Sequence, residues 1–259
     1  MAEADPTDPF SRTQISLDKL PVVIPAADAL SSHNIVGFES RDIRSRSFNL
    51  LRTRFAKGIA ARDARLIGIT SATPGAGKSF LALNLAASLA RLGETPIYLV
   101  DLDLRRSSVS DELGLEGQKG VGNYLQGDVE ELREVGVRID GVPLGVFPTG
   151  SVPGNSAEYL TTDRFKAMIQ DLRNNADNAV VIFDLPPVFA SDDAMLSIEA
   201  LDGYLLVVDS GTTNRRQVTD AMEMLRPSPC FGTILNRYKG GLTDPYGYGT
   251  GAYSNYYDK

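Results

Sequence analysis

The chain has 259 residues, 42% of them hydrophobic, and a formal net charge of −7. That length suits one large α/β domain of about 200 to 250 residues with tails, and the acidic balance excludes bulk nucleic-acid binding, which needs a basic footprint. Cys230 is the only cysteine and His33 the only histidine, so a disulfide framework, a Cys/His zinc site and a cysteine-held metal cluster are excluded, and a reducing, cytoplasmic setting is expected.

Residues 1–38 are rich in Pro, Asp, Ser and Ala and keep no period, which predicts a flexible arm able to order on a partner. The opening Met1-Ala2-Glu3-Ala4-Asp5 lacks the basic start and apolar core of a signal peptide, and no run of 18 apolar residues follows. Any membrane contact is therefore expected through a partner at the inner face of the plasma membrane. Between 41 and 65, Arg41, Arg44, Arg46, Arg52, Arg54, Lys57, Arg62 and Arg65 surround Phe48, Leu51, Phe55 and Ile59 at helical spacing. This predicts a basic amphipathic helix whose outer face is either solvated or a docking surface for acidic protein or lipid.

The apolar run Leu66-Ile67-Gly68-Ile69-Thr70 leads into Ala72-Thr73-Pro74-Gly75-Ala76-Gly77-Lys78-Ser79, and an apolar helical stretch begins at Phe80. The octet is a G-x-x-x-x-G-K-[ST] phosphate loop with alanine for its first glycine, set between strand and helix as the chemistry requires. Gly75 and Gly77 let successive N–H groups converge on phosphate, Lys78 supplies a cation to the β and γ phosphates, and Ser79 offers a hydroxyl to Mg²⁺. Pro74 to Phe80 together form the candidate nucleotide cradle.

Beyond the loop, strands are predicted at 66–71, 96–101, 145–148, 179–184, 203–208 and 232–235, with helices at 78–92, 161–174, 191–199 and 214–225. Gly93 ends the first helix where a left-handed cap is wanted. This alternation predicts a doubly wound, mostly parallel sheet with helices on both faces, occupying 39–237. The segment 238–259 is dominated by Gly and Tyr, and five of the chain's ten tyrosines, Tyr246, Tyr248, Tyr253, Tyr256 and Tyr257, fall in its last part. It cannot build a core and is expected to be a flexible tail.

Two strand ends carry acid: Val100-Asp101-Leu102-Asp103-Leu104-Arg105 and Ile182-Phe183-Asp184-Leu185-Pro186-Pro187. Ligands of open α/β sheets collect at carboxyl ends of strands, so Asp101, Asp103 and Asp184 are expected beside the phosphate loop, the last as a Walker B carboxylate. A strand-end or helix-cap role suffices for any one of them alone; their order along the chain with Lys78 points to catalysis. Asp192 and Asp193, before a predicted helix, read as capping residues.

Taken together, the phosphate loop, the Asp101-Leu102-Asp103-Leu104-Arg105 segment, the Asp184 segment and the tyrosine tail resemble the deviant Walker motifs of bacterial tyrosine kinases. The resemblance extends to the stretch from Pro153 to Leu160 and to Gly232-Thr233-Ile234-Leu235-Asn236, which is similar to that family's base-contacting strand end. It implies a P-loop fold and a kinase that uses MgATP to phosphorylate its own C-terminal tyrosines in a capsule or exopolysaccharide system, together with a membrane co-polymerase. It further implies Lys78 on the phosphates, Ser79 and Asp103 on Mg²⁺, Asp184 on a metal-bound water, Asp101 as base and Asn236 at the nucleotide. The same resemblance makes Arg105 the expected added cation for the transferring phosphoryl. A homo-oligomer is implied as well, but where the family has Glu-x-x-Arg-x-x-Arg this chain reads Arg46-Ser47-Phe48-Asn49-Leu50-Leu51-Arg52, so a ring does not follow from the motif. Two other readings stay open: a partition or division-site ATPase switch, which would carry a lysine where Thr73 stands, and a nucleotide-binding accessory subunit without transfer activity.

Overall fold

A computed structural model describes residues 14–115, 117–151, 154, 156–174, 176 and 178–239. Its centre is an eight-stranded sheet: β1 Val22–Val23, β2 Leu66–Ser71, β3 Ile97–Asp101, β4 Val137–Ile139, β5 Leu144–Phe147, β6 Val180–Asp184, β7 Gly203–Asp209 and β8 Cys230–Asn236. Their spatial order is β1-β4-β5-β3-β6-β2-β7-β8. All neighbours run parallel except β4 and β5. The six predicted strands are all present, and the doubly wound fold is as the alternation of apolar runs requires.

Strands buried on both faces explain why those runs are continuous and not alternating. Along β3, Tyr98 and Val100 enter one core cluster while Ile97 and Leu99 enter the other; β6 divides Val181 and Phe183 from Ile182 in the same way. The helices α2 Arg46–Ala60, α3 Lys78–Ala90 and α4 Val109–Leu113 cover one face, through Phe48, Leu83 and Val109. On the other lie α5 Val121–Gln126, α7 Asp163–Asn174, α8 Asp193–Ile198 and α9 Arg215–Met224, through Tyr124, Met168, Ile198 and Ala221. Gly93 takes φ +73 and its N–H donates to the Ala90 carbonyl just past α3, the left-handed ending its position predicts.

The expectation of a flexible arm to residue 38 is corrected from Gln14 onward. Ile15, Leu17 and Leu20 are buried, β1 pairs with β4, and α1 Ala27–Ser32 lies against α4, with the Ala26 N–H on the Leu113 carbonyl at 3.2 Å. At residues 36 and 37 both backbone N–H groups donate to Asn84 Oδ1 on α3 at 2.8 Å. These anchors are apolar residues without a period, each seated on a surface formed by distant chain, so no local pattern announces them. Residues 240–259, with all five candidate acceptor tyrosines, lie outside the described residues.

The basic helix is present as α2, with Phe48, Phe55 and Ile59 buried. Much of its charge already has an intramolecular partner. Arg52 donates to the Ser88 carbonyl at 2.8 Å, Arg62 lies 5.0 Å over the Phe231 ring, and Arg65 bonds Asn178 and the Arg173 carbonyl. Arg54 and Lys57 are left on the exposed side.

Candidate functional site

β2 and β3 flank β6; the chain leaves β2 toward β3 on one side but leaves β6 toward β7 on the other, so these two connections diverge at one point of the sheet's carboxyl edge. That is where an open α/β sheet has a crevice. The phosphate loop fills it, with Gly75 at φ +79 and Gly77 at φ +87, a region of the backbone map open to glycine at little cost. Gly77 has a second constraint, since a Cβ there would lie 2.2 Å from Asn236 Nδ2. Asn236, the last residue of β8, donates to the Ala76 carbonyl at 2.8 Å and accepts from the Arg237 N–H. It is thus a splint for the loop as well as its neighbour. The Phe80 ring stands edge-on to Phe48 at 5.6 Å, which leaves its backbone as the part available to a nucleotide.

Lys78, the first residue of α3, points to the Asp-bearing loop after β3. Its Nζ reaches Asp103 Oδ2 at 2.6 Å, with side-chain exposures of 11% and 4%. Asp101 and Asp184 stand side by side in register on β3 and β6 and are fully buried. Asp101 accepts from the Asp103 N–H at 3.1 Å, and its own carbonyl accepts from Thr149 Oγ1 at 3.1 Å. Asp103 Oδ1 accepts from the Arg106 N–H. The predicted Lys78, Ser79, Asp101, Asp103 and Asp184 are therefore brought together.

Three carboxylates and one ammonium in a dry pocket perturb one another strongly. Burial, then the neighbouring Asp184, raises the Asp101 pKa well above the usual carboxylate range. Burial likewise pushes Asp184 up to about 6, against the downward pull of Lys78 and the Ser79 hydroxyl. For Lys78, burial works against the cation, but Asp184, Asp103 and Asp101 together outweigh it and raise its pKa. Glu112 on α4 is pushed up to about 8 by burial and by Asp184. No sequence motif marks it; only the fold turns α4 toward the site.

Both Asp184 oxygens are buried with no hydrogen-bond partner. Ser79 acts on this carboxylate electrostatically without reaching bonding geometry. An orphaned, dry carboxylate beside a phosphate loop is a natural second-sphere or direct ligand for a hard cation. Among the described residues no group of three or more His, Cys, Asp and Glu converges to hold a metal on protein atoms alone.

Asp193 departs from the expected capping role. Asp192, at the N-cap position of α8, makes no capping bond, and Asp193 is buried and paired with Arg105 at 3.1 Å. Farther along the same edge, an open cavity of about 410 Å³ is lined by Asp209, Ser210, Thr212, Arg237, Tyr238 and Lys239.

Residues 67–243 match the family described as the CobQ/CobB/MinD/ParA nucleotide binding domain. The tyrosine-protein kinase YwqD of Bacillus subtilis (strain 168) is 32% identical over 214 residues, 81% of this chain and 88% of that protein. The tyrosine-protein kinase CpsD of Streptococcus agalactiae is 33% identical over 205 residues, 78% of this chain and 87% of its own length. Among solved structures, the kinase domain of Escherichia coli tyrosine kinase ETK superposes with a TM-score of 0.74 at 26% identity, covering 87% of this chain and 91% of that one. No helix among the described residues is long and apolar enough to cross a membrane.

Proposed function

We propose that this chain, which belongs to the bacterial tyrosine kinases within the CobQ/CobB/MinD/ParA nucleotide-binding family, transfers the γ-phosphoryl of MgATP to its own C-terminal tyrosines. The single observation that supports the site is the buried Lys78–Asp103 pair at the mouth of the phosphate loop, flanked by Asp101 and an unpartnered Asp184.

In this reading, Gly75 to Ser79 offer backbone N–H groups to the phosphates and Lys78 exchanges Asp103 for phosphate oxygen. Ser79, Asp103 and Asp184 are the residues that would hold Mg²⁺, Asp184 directly or through water; the ion would supply positive charge to neutralise the transferring phosphate. Asp101 takes the phenolic proton while the tyrosine oxygen bonds to γ-phosphorus, the bond to the β–γ bridging oxygen breaks, and ADP leaves with that electron pair. A free tyrosine has a pKa near 10, so Asp101 acts through orientation and charge placement, helped by a pKa that burial already raises. Asn236 holds the loop in shape beneath the nucleotide.

The acceptors are Tyr246, Tyr248, Tyr253, Tyr256 and Tyr257. Each phosphate adds about −1.5 to −2 charge at pH 7, so several together repel one another and loosen assembly with a second copy or with a partner. The partner is the cytosolic segment of a membrane polysaccharide co-polymerase, which brings the kinase to the inner face of the membrane. Thr73, in place of a lysine that reaches across a dimer, separates the chain from the partition-type switches.

Incubation with MgATP and that segment, followed by mass spectrometry of the tail, tests the reading. Phosphate on residues 246–257, absent in Lys78→Met, is the expected result; ATP hydrolysis with no phosphotyrosine would overturn it. Equal complex mass before and after phosphorylation, by light scattering, would contradict the loosening.

A further inference from the structure

Arg105 lies two residues beyond Asp103 and is gripped in an unusual way. Its single Nε proton is shared between Ser156 Oγ at 2.9 Å and Asp193 Oδ2 at 3.1 Å. Ser156 Oγ, accepting from the arginine, donates its own proton to the same Asp193 oxygen at 2.5 Å. Ser156 is 2% exposed and Asp193 not at all, and Asp193 Oδ1 has no partner. Arg105, by contrast, is 49% exposed at its side chain. Its two terminal nitrogens have no hydrogen-bond partner among the described residues.

A guanidinium that served only to tie loops together would present two parallel N–H groups to a carboxylate, the geometry that gives the strongest pairing. Here a serine occupies the place of the second contact, and the arginine is held from behind by Nε alone. Burying a carboxylate with both its hydrogen bonds on one oxygen and the other oxygen left bare is unfavourable unless the arrangement does something else. The three residues come from three carboxyl-edge segments: the loop leaving β3, the start of α6 Ser156–Leu160, and the start of α8 after β6. The loops from β3 and β6 are those that carry Asp101, Asp103 and Asp184.

We propose that Asp193 and Ser156 are positioning residues for phosphoryl transfer, fixing Arg105 by its Nε edge so that both terminal nitrogens stay open to the oxygens of the group in flight. A planar fork matches phosphate oxygens in pairs, and a fork that does not have to be ordered at the moment of reaction stabilises developing charge best. Asp193 also supplies the negative charge that keeps the cation from folding onto Asp101 or Asp103. This inference rests on the transfer site proposed above.

The test compares Ser156→Ala, Asp193→Asn, Arg105→Lys and the double variant Asp193→Asn/Arg105→Lys, in the full chain with MgATP. Three quantities are read: the rate of tyrosine phosphate formation, MgADP affinity by fluorescence titration, and melting temperature. Ser156→Ala and Asp193→Asn are expected to lower kcat about 10- to 100-fold, the effect of a misplaced group, with KM for ATP and MgADP affinity held within about twofold. The double variant should be no slower than Arg105→Lys alone, because a residue that acts through Arg105 has nothing left to position. Losses that multiply, a fall in nucleotide affinity with kcat kept, or full activity in both single variants would each overturn the inference. If Asp193→Asn does not fold, Ser156→Ala alone decides between the outcomes, since it removes a hydroxyl and adds no buried charge. Lys78→Met separates the two levels: full rate in Ser156→Ala with none in Lys78→Met defeats this inference alone, whereas tyrosine phosphate in Lys78→Met defeats the transfer site itself.

Discussion

The middle and one end of the same sheet edge carry ion pairs, and they differ in almost everything but chemistry. At the ends of β2, β3 and β6, Lys78 and Asp103 are shut away from water beside two further carboxylates. At the ends of β7 and β8, Arg237 and Asp209 pair at 2.9 Å across an open cavity, with Arg237 56% exposed. Water reaches Arg237 and screens the second pair from that side, although Asp209 is only 11% exposed at its side chain, so the pair contributes modestly to stability. In the first, low polarity keeps every charge effective and shifts pKa values, which is how a protein prepares a site for a highly charged substrate. Burial, more than residue type, separates a working site from an ordinary surface contact.

The comparison can be broken most forcefully at Lys78. Lys78→Met removes the cation that faces Asp101, Asp103 and Asp184, and phosphotyrosine formation should fall by roughly 10²–10³-fold or more, measured with radiolabelled ATP. Next comes Asp184→Asn, for which a loss of about 10²-fold is expected together with a higher melting temperature of the nucleotide-free chain above pH 6, because a fully buried carboxylate is replaced by an uncharged amide. A variant that lost activity and stability together would show that Asp184 is a structural anchor.

Asn236→Ala removes the hydrogen bond to the Ala76 carbonyl, worth about 0.5–1.5 kcal/mol net, and should weaken nucleotide binding about 2- to 13-fold by calorimetry. Glu112 offers a pH signature. Its folded pKa of about 8 is above the ordinary 4.5, so the native state holds the proton more tightly and stability declines as pH rises from about 4.5 to about 8. Glu112→Gln should abolish that slope, melting roughly 2–4 °C or more above the parent at pH 8 and level with it near pH 4.5. The smallest effect is expected at the open end, where Arg237→Ala should change stability by about 0–1 kcal/mol in urea denaturation. A larger loss there would erase the contrast between the two pairs.

The parts of the molecule legible in the sequence are those where local chemistry and tertiary role coincide. Strand β2 is predicted at its observed bounds because a fully buried parallel strand is a continuous apolar run and the phosphate loop punctuates it. Lys78, Asp101, Asp103 and Asp184 are readable because each sits at a fixed offset from such a run. Strand β4 is not: Val137 and Ile139 alternate with Arg138 over three residues, too short for a period. The partners of Arg105 are hidden for a different reason. Ser156 and Asp193 lie 51 and 88 residues away in the chain, and nothing near Asp193 distinguishes a buried counter-charge from a helix cap until the fold closes.

The strand order also has a mechanical consequence. The chain enters the sheet through β1 at one border and leaves it through β8 at the other, a width of about 34 Å at the usual strand spacing. Tension on the entering end would load the buried Ile15, Leu17 and Leu20 and then a two-residue strand, whereas tension on the leaving end would load a seven-residue strand paired with β7 along its length. The ladder at the exit therefore sets more backbone pairs against force than the ladder at the entry, and it ends at Asn236, the residue that braces the phosphate loop.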